Sequence, residues 1–179
     1  MIFLVRHGEA AASWGEASDP GLSERGLRQA DAVAGALIEV GASSAVTSPM
    51  MRCRETCGAF ERVAGLVARV EPRVSEVETP PGLADRTAWL RGVMSGTWSA
   101  SGQDFVPWRQ AALNAVSEAE DGTAFFSHFV AINAIVGLIQ GVDDVVVFKP
   151  SHCSMTRLER RNGTLVVAET GAEGESRIL

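Results

Sequence analysis

Short apolar runs alternate with longer amphipathic stretches along most of this chain. The runs have the continuous apolar character of buried strands, and they cover residues 2–5, 45–47, 67–70 and 123–127. Between them, apolar residues recur at helical spacing over residues 23 to about 40, about 50–63, 108 to about 119 and 130–139. Strands that alternate with helices predict an α/β fold, a three-layer α/β/α sandwich with a mostly parallel sheet.

The first predicted helix carries boundary residues at both ends. Ser23 is a candidate N-cap, because a serine hydroxyl can accept from the first free backbone N–H groups of a helix. Gly41 follows the last apolar position and is placed to end the helix. Ser48-Pro49 introduces the second helix in a similar way.

The end of the chain predicts a β-hairpin. Residues 155–158 and 165–167 are strand-like and flank Asn162-Gly163, a dipeptide typical of tight hairpin turns. Because hairpin strands run antiparallel, the sheet is expected to be mixed.

Residues 72–107 have the least regular pattern. Pro80-Pro81-Gly82 interrupts any regular element, and Trp89, Leu90, Val93 and Met94 suggest a short helix after it. We expect this segment to be an excursion over the sheet edge that covers the functional site, within a single domain over residues 1–179.

Composition and charge narrow the function classes. The chain has 179 residues, 46% of them hydrophobic, and a formal charge of −6 with a pI of about 5.1. An acidic protein repels nucleic acids and anionic membranes, so neither is an expected partner. The apolar run before Arg6 is too short for a signal peptide or a membrane span, which predicts a cytoplasmic protein. The odd number and the spacing of the three cysteines argue against a disulfide framework, and Cys53 and Cys57 are expected to be small core residues.

Polar residues follow three of the predicted strands. Arg6-His7-Gly8 ends the first strand, Arg52 lies shortly after the second, and Ser127-His128 ends the strand at residues 123–127. Ligands of open α/β sheets bind outside the carboxyl ends of strands, so these side chains are expected to converge.

The converging side chains have the chemistry of a phosphoryl site. Two guanidiniums can each donate twice to a tetrahedral oxyanion, and two imidazoles offer a nucleophile and a further donor. The N-termini of the helices near Arg52 and His128 are expected to add backbone N–H groups. Taken alone, an Arg-His dipeptide is common, a histidine at a strand end is more often structural, and Arg52 would be a solvated helix residue. The combination on three strand ends favours function.

Five segments, in order along the chain, carry a resemblance to a known family. They are Leu4-Val-Arg-His-Gly-Glu9, Leu22-Ser-Glu-Arg-Gly-Leu-Arg-Gln-Ala30, Ser48-Pro-Met-Met-Arg52 followed by Thr56, Ser127-His128 and Cys153-Ser-Met-Thr-Arg-Leu-Glu159. Together they are similar to the landmarks of the histidine phosphatase superfamily, in its phosphoglycerate mutase-like branch. They span nearly the whole chain. A single match of this kind would not be specific to the family, but five matches in the family's order are.

The resemblance implies a role for each site residue. His7 would take the phosphoryl group as a covalent phosphohistidine, and Arg6, Arg52 and His128 would hold its nonbridging oxygens. Glu76 best matches the acidic proton donor of the family, with Glu78 a distant second; without the resemblance, Glu76 would be taken for a surface carboxylate. No metal or cofactor is implied, because two arginines and a histidine can supply the charge neutralisation that phosphoryl transfer needs. The partner would be a small phosphorylated substrate or a phosphoprotein.

The sequence also departs from the family pattern. Ser13 stands where mutases have an asparagine that reaches the substrate, with Trp14 one place beyond the usual tryptophan; Cys53 replaces an alanine; and Phe129-Val130 replaces a Gly-Gly pair. Ser13 and Phe129 are accordingly predicted to contact the substrate. His152 lies just before the closing strand, where bordering the site and a structural role are equally good interpretations.

Several functions remain open at this point. The preferred one is a phosphatase that hydrolyses a phosphomonoester, since the chain is shorter than the mutases it resembles and lacks their asparagine at position 13. The alternative is a mutase that returns the phosphoryl group to a small substrate, and a third is a binding module for phosphorylated ligands. A zinc protein is a remote fourth, because the three histidines and three cysteines lack the paired spacing of zinc ligands.

Overall fold

The computed structural model describes residues 1–12 and 17–174. Along this part of the chain the elements are β1 (Ile2–Arg6), α1 (Glu24–Glu39), β2 (Ser44–Thr47), α2 (Met51–Ala64), β3 (Arg69–Val70), a 3-10 helix (Pro72–Val74), α3 (Arg86–Met94), α4 (Val106–Ser117), β4 (Thr123–Ser127), α5 (Phe129–Gln140), β5 (Met155–Arg161) and β6 (Thr164–Glu169). Strands and helices alternate as the apolar pattern predicts.

The six strands form one mixed sheet with the order β3-β2-β4-β1-β5-β6. The pairs β3 with β2, β2 with β4 and β4 with β1 are parallel, whereas β5 pairs with β1 and β6 pairs with β5 in the antiparallel sense. The predicted α/β fold class with a mostly parallel, mixed sheet is confirmed.

Helices cover both faces of the sheet. Phe3 and Val5 of β1 belong to a buried cluster with α1 and α2, and the alternate residues Ile2 and Leu4 belong to a second cluster with α4 and α5. All five residues of β1 are buried, which explains why its sequence is continuously apolar up to Arg6. Cys53 and Cys57 lie in the first cluster, fully buried, as expected for small core residues.

Local sequence signals determine two of the element boundaries. The Ser23 hydroxyl accepts from the Gly26 N–H at 3.0 Å and caps α1. The turn between β5 and β6 has positive φ at both Asn162 (52°) and Gly163 (82°), the backbone that a two-residue hairpin loop requires.

The structure differs from the predicted element bounds at several places. The hairpin strands β5 (Met155–Arg161) and β6 (Thr164–Glu169) are longer than the predicted residues 155–158 and 165–167. The third strand covers only Arg69–Val70 rather than residues 67–70, because the Ala68 N–H donates to Glu61 Oε1 at 2.7 Å. Helix α4 begins at Val106, before the predicted position 108, with Pro107 in its first turn, where a missing N–H costs nothing.

Residues 72–107 contain the 3-10 helix, α3 and a third buried cluster. Val77, Leu90, Val93, Trp98 and Phe105 of this segment pack against residues of α5. The segment is therefore attached to the helix that starts immediately after His128. Within residues 1–12 and 17–174, no helix combines the length and the apolar character needed to cross a membrane.

Candidate active site

Three adjacent strands end at one edge of the sheet, and each is followed by polar residues. β2, β4 and β1 are neighbours and parallel. Backbone hydrogen bonds continue the pairing past the strand ends, from His7 N to Ser127 O at 3.0 Å and from Ser48 N to Phe126 O at 3.0 Å. The loops that carry His7, Ser48 and His128 are thereby brought together, as the strand-end argument predicts.

The contacts of His7 identify which of its ring nitrogens is unprotonated. Nδ1 lies 2.7 Å from the Gly8 carbonyl oxygen, which can only accept, so the proton is on Nδ1. Nε2 then accepts from Arg52 Nε at 3.2 Å. Burial lowers the pKa of His7 well below its ordinary 6.5, and the neighbouring His128 and the two guanidiniums act in the same direction. His7 is therefore a neutral imidazole at neutral pH, with an unprotonated Nε2.

Close backbone packing holds the loop after His7. A Cβ on Gly8 would lie 2.7 Å from the Gly26 carbonyl oxygen, so only glycine allows the start of α1 to approach. The Gly8 N–H donates to Thr56 Oγ1 at 3.0 Å, and that hydroxyl donates to the Arg52 carbonyl at 2.6 Å. Thr56 thus connects the backbones beside His7 and Arg52.

His128 is fully buried between Arg52 and Ser48. Nδ1 accepts from Arg52 Nη2 at 3.1 Å, because a guanidinium can only donate, and Nε2–H donates to Ser48 Oγ at 2.8 Å. Burial lowers the pKa of His128 well below 6.5, and the two guanidiniums lower it further. Both ring nitrogens of His128 have protein partners, and through Nδ1 the ring orients Arg52. Direct contact of His128 with a phosphoryl group stays a prediction.

Arg6 is held by the turn that precedes β5. Its guanidinium donates from Nη1 to the Pro150 carbonyl at 2.8 Å and from Nη2 to His152 Nε2 at 2.9 Å. The Phe129 ring centroid lies 5.2 Å from Arg6 Cζ, a cation–π distance. Arg6 is only 2% exposed, and burial lowers its pKa to about 10, so it remains charged at neutral pH.

His152 belongs to the site, a role that the sequence left open. Its ring centroid lies 5.8 Å from that of His7, in addition to the contact with Arg6. Burial, followed by the Arg6 charge, lowers the pKa of His152 to about 4. The antiparallel pairing of β5 with β1, which joins Val5 to Met155, brings the turn to Arg6. The available sequence signal was the position of His152 just before the closing strand.

The side chain of Glu76 contacts the N-terminus of α5, the helix that begins just after His128. Its carboxylate accepts from the N–H groups of Val130, Ala131 and Val77, each at 3.1 Å. Burial raises the pKa of Glu76, against the opposing effects of these hydrogen bonds and of the Arg52 charge. A buried carboxyl with a raised pKa suits proton donation, although a cap of α5 would use the same contacts.

Carboxylates contact the N-termini of both helices that flank the site. Glu76 occupies the Val130 and Ala131 N–H groups of α5, and Asp19 Oδ1 accepts from the Met51 N–H of α2 at 2.9 Å. Asp19 also lies 3.8 Å from Arg52 Nη1. Protein carboxylates therefore satisfy these three amides, and the expectation that the helix N-termini donate to a ligand stays a prediction for the other N–H groups.

The remaining residues that the sequence singled out are Phe129, Glu78, Ser13 and Trp14. Phe129 is buried against Arg6, so it supports the guanidinium; its contact with a substrate stays a prediction. Glu78 is exposed, and Ser13 and Trp14 lie outside the described residues. No group of three or more His, Cys, Asp or Glu side chains in the described part of the chain is arranged to hold a metal ion.

Comparison with known proteins gives a family match over almost the full length. The model of the family described as histidine phosphatase superfamily (branch 1) matches residues 2–172. Two curated relatives carry the name probable phosphoglycerate mutase. The protein from Cronobacter sakazakii is 26% identical over 89% of this chain and 84% of its own length, and that from Photorhabdus laumondii is 28% identical over 92% and 82%.

Solved structures share the fold at low sequence identity. A mycobacterial glucosyl-3-phosphoglycerate phosphatase, solved with VO3, has a TM-score of 0.76 and 21% identity over 96% of this chain and 98% of its own. A phosphoserine phosphatase from Entamoeba histolytica, solved with 3-phosphoglyceric acid, has a TM-score of 0.74 and 17% identity over 96% of both chains.

Proposed function

The chain belongs to the histidine phosphatase superfamily, and on that premise we propose that it hydrolyses a phosphomonoester through a phosphohistidine at His7. The observation that carries the proposal is the state of the His7 ring: Nδ1–H is fixed on the Gly8 carbonyl, and the unprotonated Nε2 faces Arg52. A phosphoryl group attacked by Nε2 would arrive beside a guanidinium.

The first chemical step forms the phosphohistidine. Nε2 of His7 attacks phosphorus, and the bond from phosphorus to the ester oxygen breaks. Arg52, oriented by His128, and Arg6, held by the turn before β5, would stabilise the charge on the nonbridging oxygens. Glu76 would give its proton to the departing alkoxide, the role for which a raised pKa prepares it.

The second step consumes water. Glu76, now ionised, would take a proton from a water molecule, whose oxygen attacks phosphorus. The bond from phosphorus to Nε2 breaks, inorganic phosphate leaves, and His7 and Glu76 return to their starting states. The same two residues thus act in both steps, with no net change in the protein.

Rapid-quench labelling tests the nucleophile. A phosphomonoester labelled in its phosphoryl group should leave acid-labile, base-stable label on the wild-type chain and none on His7→Ala. Ser151→Ala, next to the site on the turn before β5, is the control and should label like the wild type. Label that persists in His7→Ala would show that another residue carries the phosphoryl group.

A mutase is the second candidate, favoured by the names of the two curated relatives. A mutase must keep water from the phosphohistidine while the substrate reorients. Incubation with 3-phosphoglycerate and a trace of 2,3-bisphosphoglycerate distinguishes the two activities. Phosphate release that exceeds formation of 2-phosphoglycerate supports the phosphatase, and isomerisation much faster than phosphate release would favour the mutase.

A further inference from the structure

A pocket of about 550 Å³ opens beside the candidate site. Its volume is within the roughly 300–1,000 Å³ of small-molecule sites. Two lining residues connect it to the chemistry: Glu76 is the candidate proton donor, and Met50 accepts a hydrogen bond at its sulfur from Arg52 Nη2 at 3.4 Å. Since Glu76 would protonate the leaving oxygen, the rest of the leaving alcohol must extend past Glu76. The pocket borders Glu76 and is therefore a candidate for holding the alcohol.

Five of the eleven residues that line the pocket have apolar side chains. Its apolar side chains come from both sides of the sharp bend at Pro80-Pro81-Gly82 and from the start of α2, and they are Met50, Val77, Pro80, Pro81 and Leu83. A small, highly charged alcohol such as a glycerate would leave these surfaces in contact with water. An apolar alcohol would bury them, and burial of apolar surface is favourable in proportion to its area.

The charges at the wall do not select a second anion. Besides Glu76, the lining residues carry one carboxylate, Glu78, and one guanidinium, Arg86. Arg86 donates from Nε to Thr79 Oγ1 at 3.4 Å. The arrangement contrasts with the phosphoryl end of the site, where Arg6 and Arg52 are buried together. A pocket with balanced charges has no excess positive charge for a carboxylate or a second phosphate on the leaving group.

We infer that the substrates of this chain are phosphomonoesters of bulky, apolar alcohols without a second anionic group, and that the pocket bordered by Met50, Glu76 and Leu83 holds the alcohol. The inference rests on the proposed phosphatase function. It also assigns to part of residues 72–107 a direct contact with the substrate.

A series of alkyl phosphates tests the inference, because ethyl, butyl and hexyl phosphate have leaving groups of nearly equal basicity. Complete burial would raise kcat/KM about fourfold per methylene, and a pocket open on one side should give about twofold to threefold. From ethyl to hexyl phosphate, kcat/KM should therefore rise on the order of tenfold or more. A hexyl phosphate that ends in a carboxylate should be hydrolysed more slowly than hexyl phosphate itself.

Two variants test whether the rise of kcat/KM with chain length arises in this pocket. Leu83→Ser should reduce the ratio of kcat/KM for hexyl over ethyl phosphate by about threefold. Val67→Ser is the control: it also removes an exposed apolar side chain, 90% exposed and not part of the pocket, and should leave the ratio unchanged. The same reduction in both variants would overturn the assignment of the pocket.

The outcomes separate this inference from the proposed function. If ethyl phosphate is hydrolysed with label on His7 but kcat/KM stays flat or falls with chain length, the pocket inference is overturned and the phosphatase stands. Faster turnover of the carboxylate-ended ester than of hexyl phosphate would also overturn it. If no ester is hydrolysed and no label reaches His7, both the function and the inference fail.

Discussion

Replacing His152 with alanine should weaken catalysis by releasing Arg6. Among the described contacts, the guanidinium of Arg6 donates to the Pro150 carbonyl at 2.8 Å and to His152 Nε2 at 2.9 Å, with the Phe129 ring beside it. His152→Ala removes the imidazole acceptor and leaves the Pro150 carbonyl in place. A hydrogen bond to a charged group contributes about 1.5–3 kcal/mol. Because His152 is only partly buried, water can replace its nitrogen, so we expect about 1.5 kcal/mol, or roughly a tenfold loss in kcat/KM.

The assay is a double-mutant cycle on hydrolysis of hexyl phosphate. His152→Ala should lower kcat/KM about tenfold in the wild-type background but have almost no effect in an Arg6→Ala background, because residues that act through one contact are not additive. His152→Gln keeps an acceptor near the position of Nε2 and should recover most of the activity. Ser151→Ala on the same turn is the control and should behave like the wild type.

Two results would refute this reasoning. Equal losses from His152→Ala with and without Arg6 would mean that His152 acts independently of the guanidinium. Failure of His152→Gln to recover activity, with unchanged thermal stability, would mean that the imidazole itself is needed, for example as a donor to the phosphoryl group.

Four further predictions follow from the site. Arg52→Ala should lower kcat by about 100-fold or more, the effect of a lost oxyanion donor, whereas Arg54→Ala, on the exposed side of α2, should not. Glu76→Gln should abolish most turnover of alkyl phosphates but largely spare p-nitrophenyl phosphate, whose leaving group needs no proton; equal losses would favour the structural cap on α5 and direct the test to Glu78. Activity should survive exhaustive chelation, because the proposed oxyanion partners are protein cations and donors; a loss restored only by a divalent ion would contradict the mechanism. The free energy of unfolding, measured by urea titration, should fall as the pH is lowered from about 7 towards 4, because His7, His128 and His152 have folded-state pKa values below 6.5 and take up protons on unfolding. His152→Gln should make that decline shallower, and an unchanged slope would count against the low pKa of His152.

The strand-end residues could be predicted from sequence because their positions depend on short-range patterns. A buried strand that ends in Arg6-His7 and another that ends in Ser127-His128 must present those residues at the same edge once the strands are parallel. Glu76 could not be found this way. Its carboxylate reaches N–H groups 54 and 55 residues further along the chain, and no local pattern indicates such a contact. Only the family resemblance singled it out.

Protonation states and orientation were also beyond the sequence. The proton on His7 is assigned to Nδ1 by the Gly8 carbonyl, and the proton on His128 is assigned to Nε2 by Arg52 on the opposite nitrogen. Gly8 belongs to the same Arg-His-Gly motif as His7, whereas Arg52 follows a different strand from His128, so it is the His128 tautomer that depends on tertiary packing. The same holds for Arg6, whose acceptors lie 144 and 146 residues away on the turn before β5.

The positions of two carboxylates explain how two guanidiniums can be buried close together although their positive charges repel each other. Arg6 and Arg52 are 2% and 4% exposed, and burial of isolated charges is costly. When ionised, Glu76 lies close enough to act electrostatically on both, and Asp19 lies 3.8 Å from Arg52. Both carboxylates are themselves held by helix N-terminal amides, which favour negative charge. A phosphoryl group that enters would meet cations that donate to neutral acceptors, the Pro150 carbonyl, His152 and His128. These contacts orient both arginines, and oriented cations are what electrostatic stabilisation of phosphoryl transfer requires.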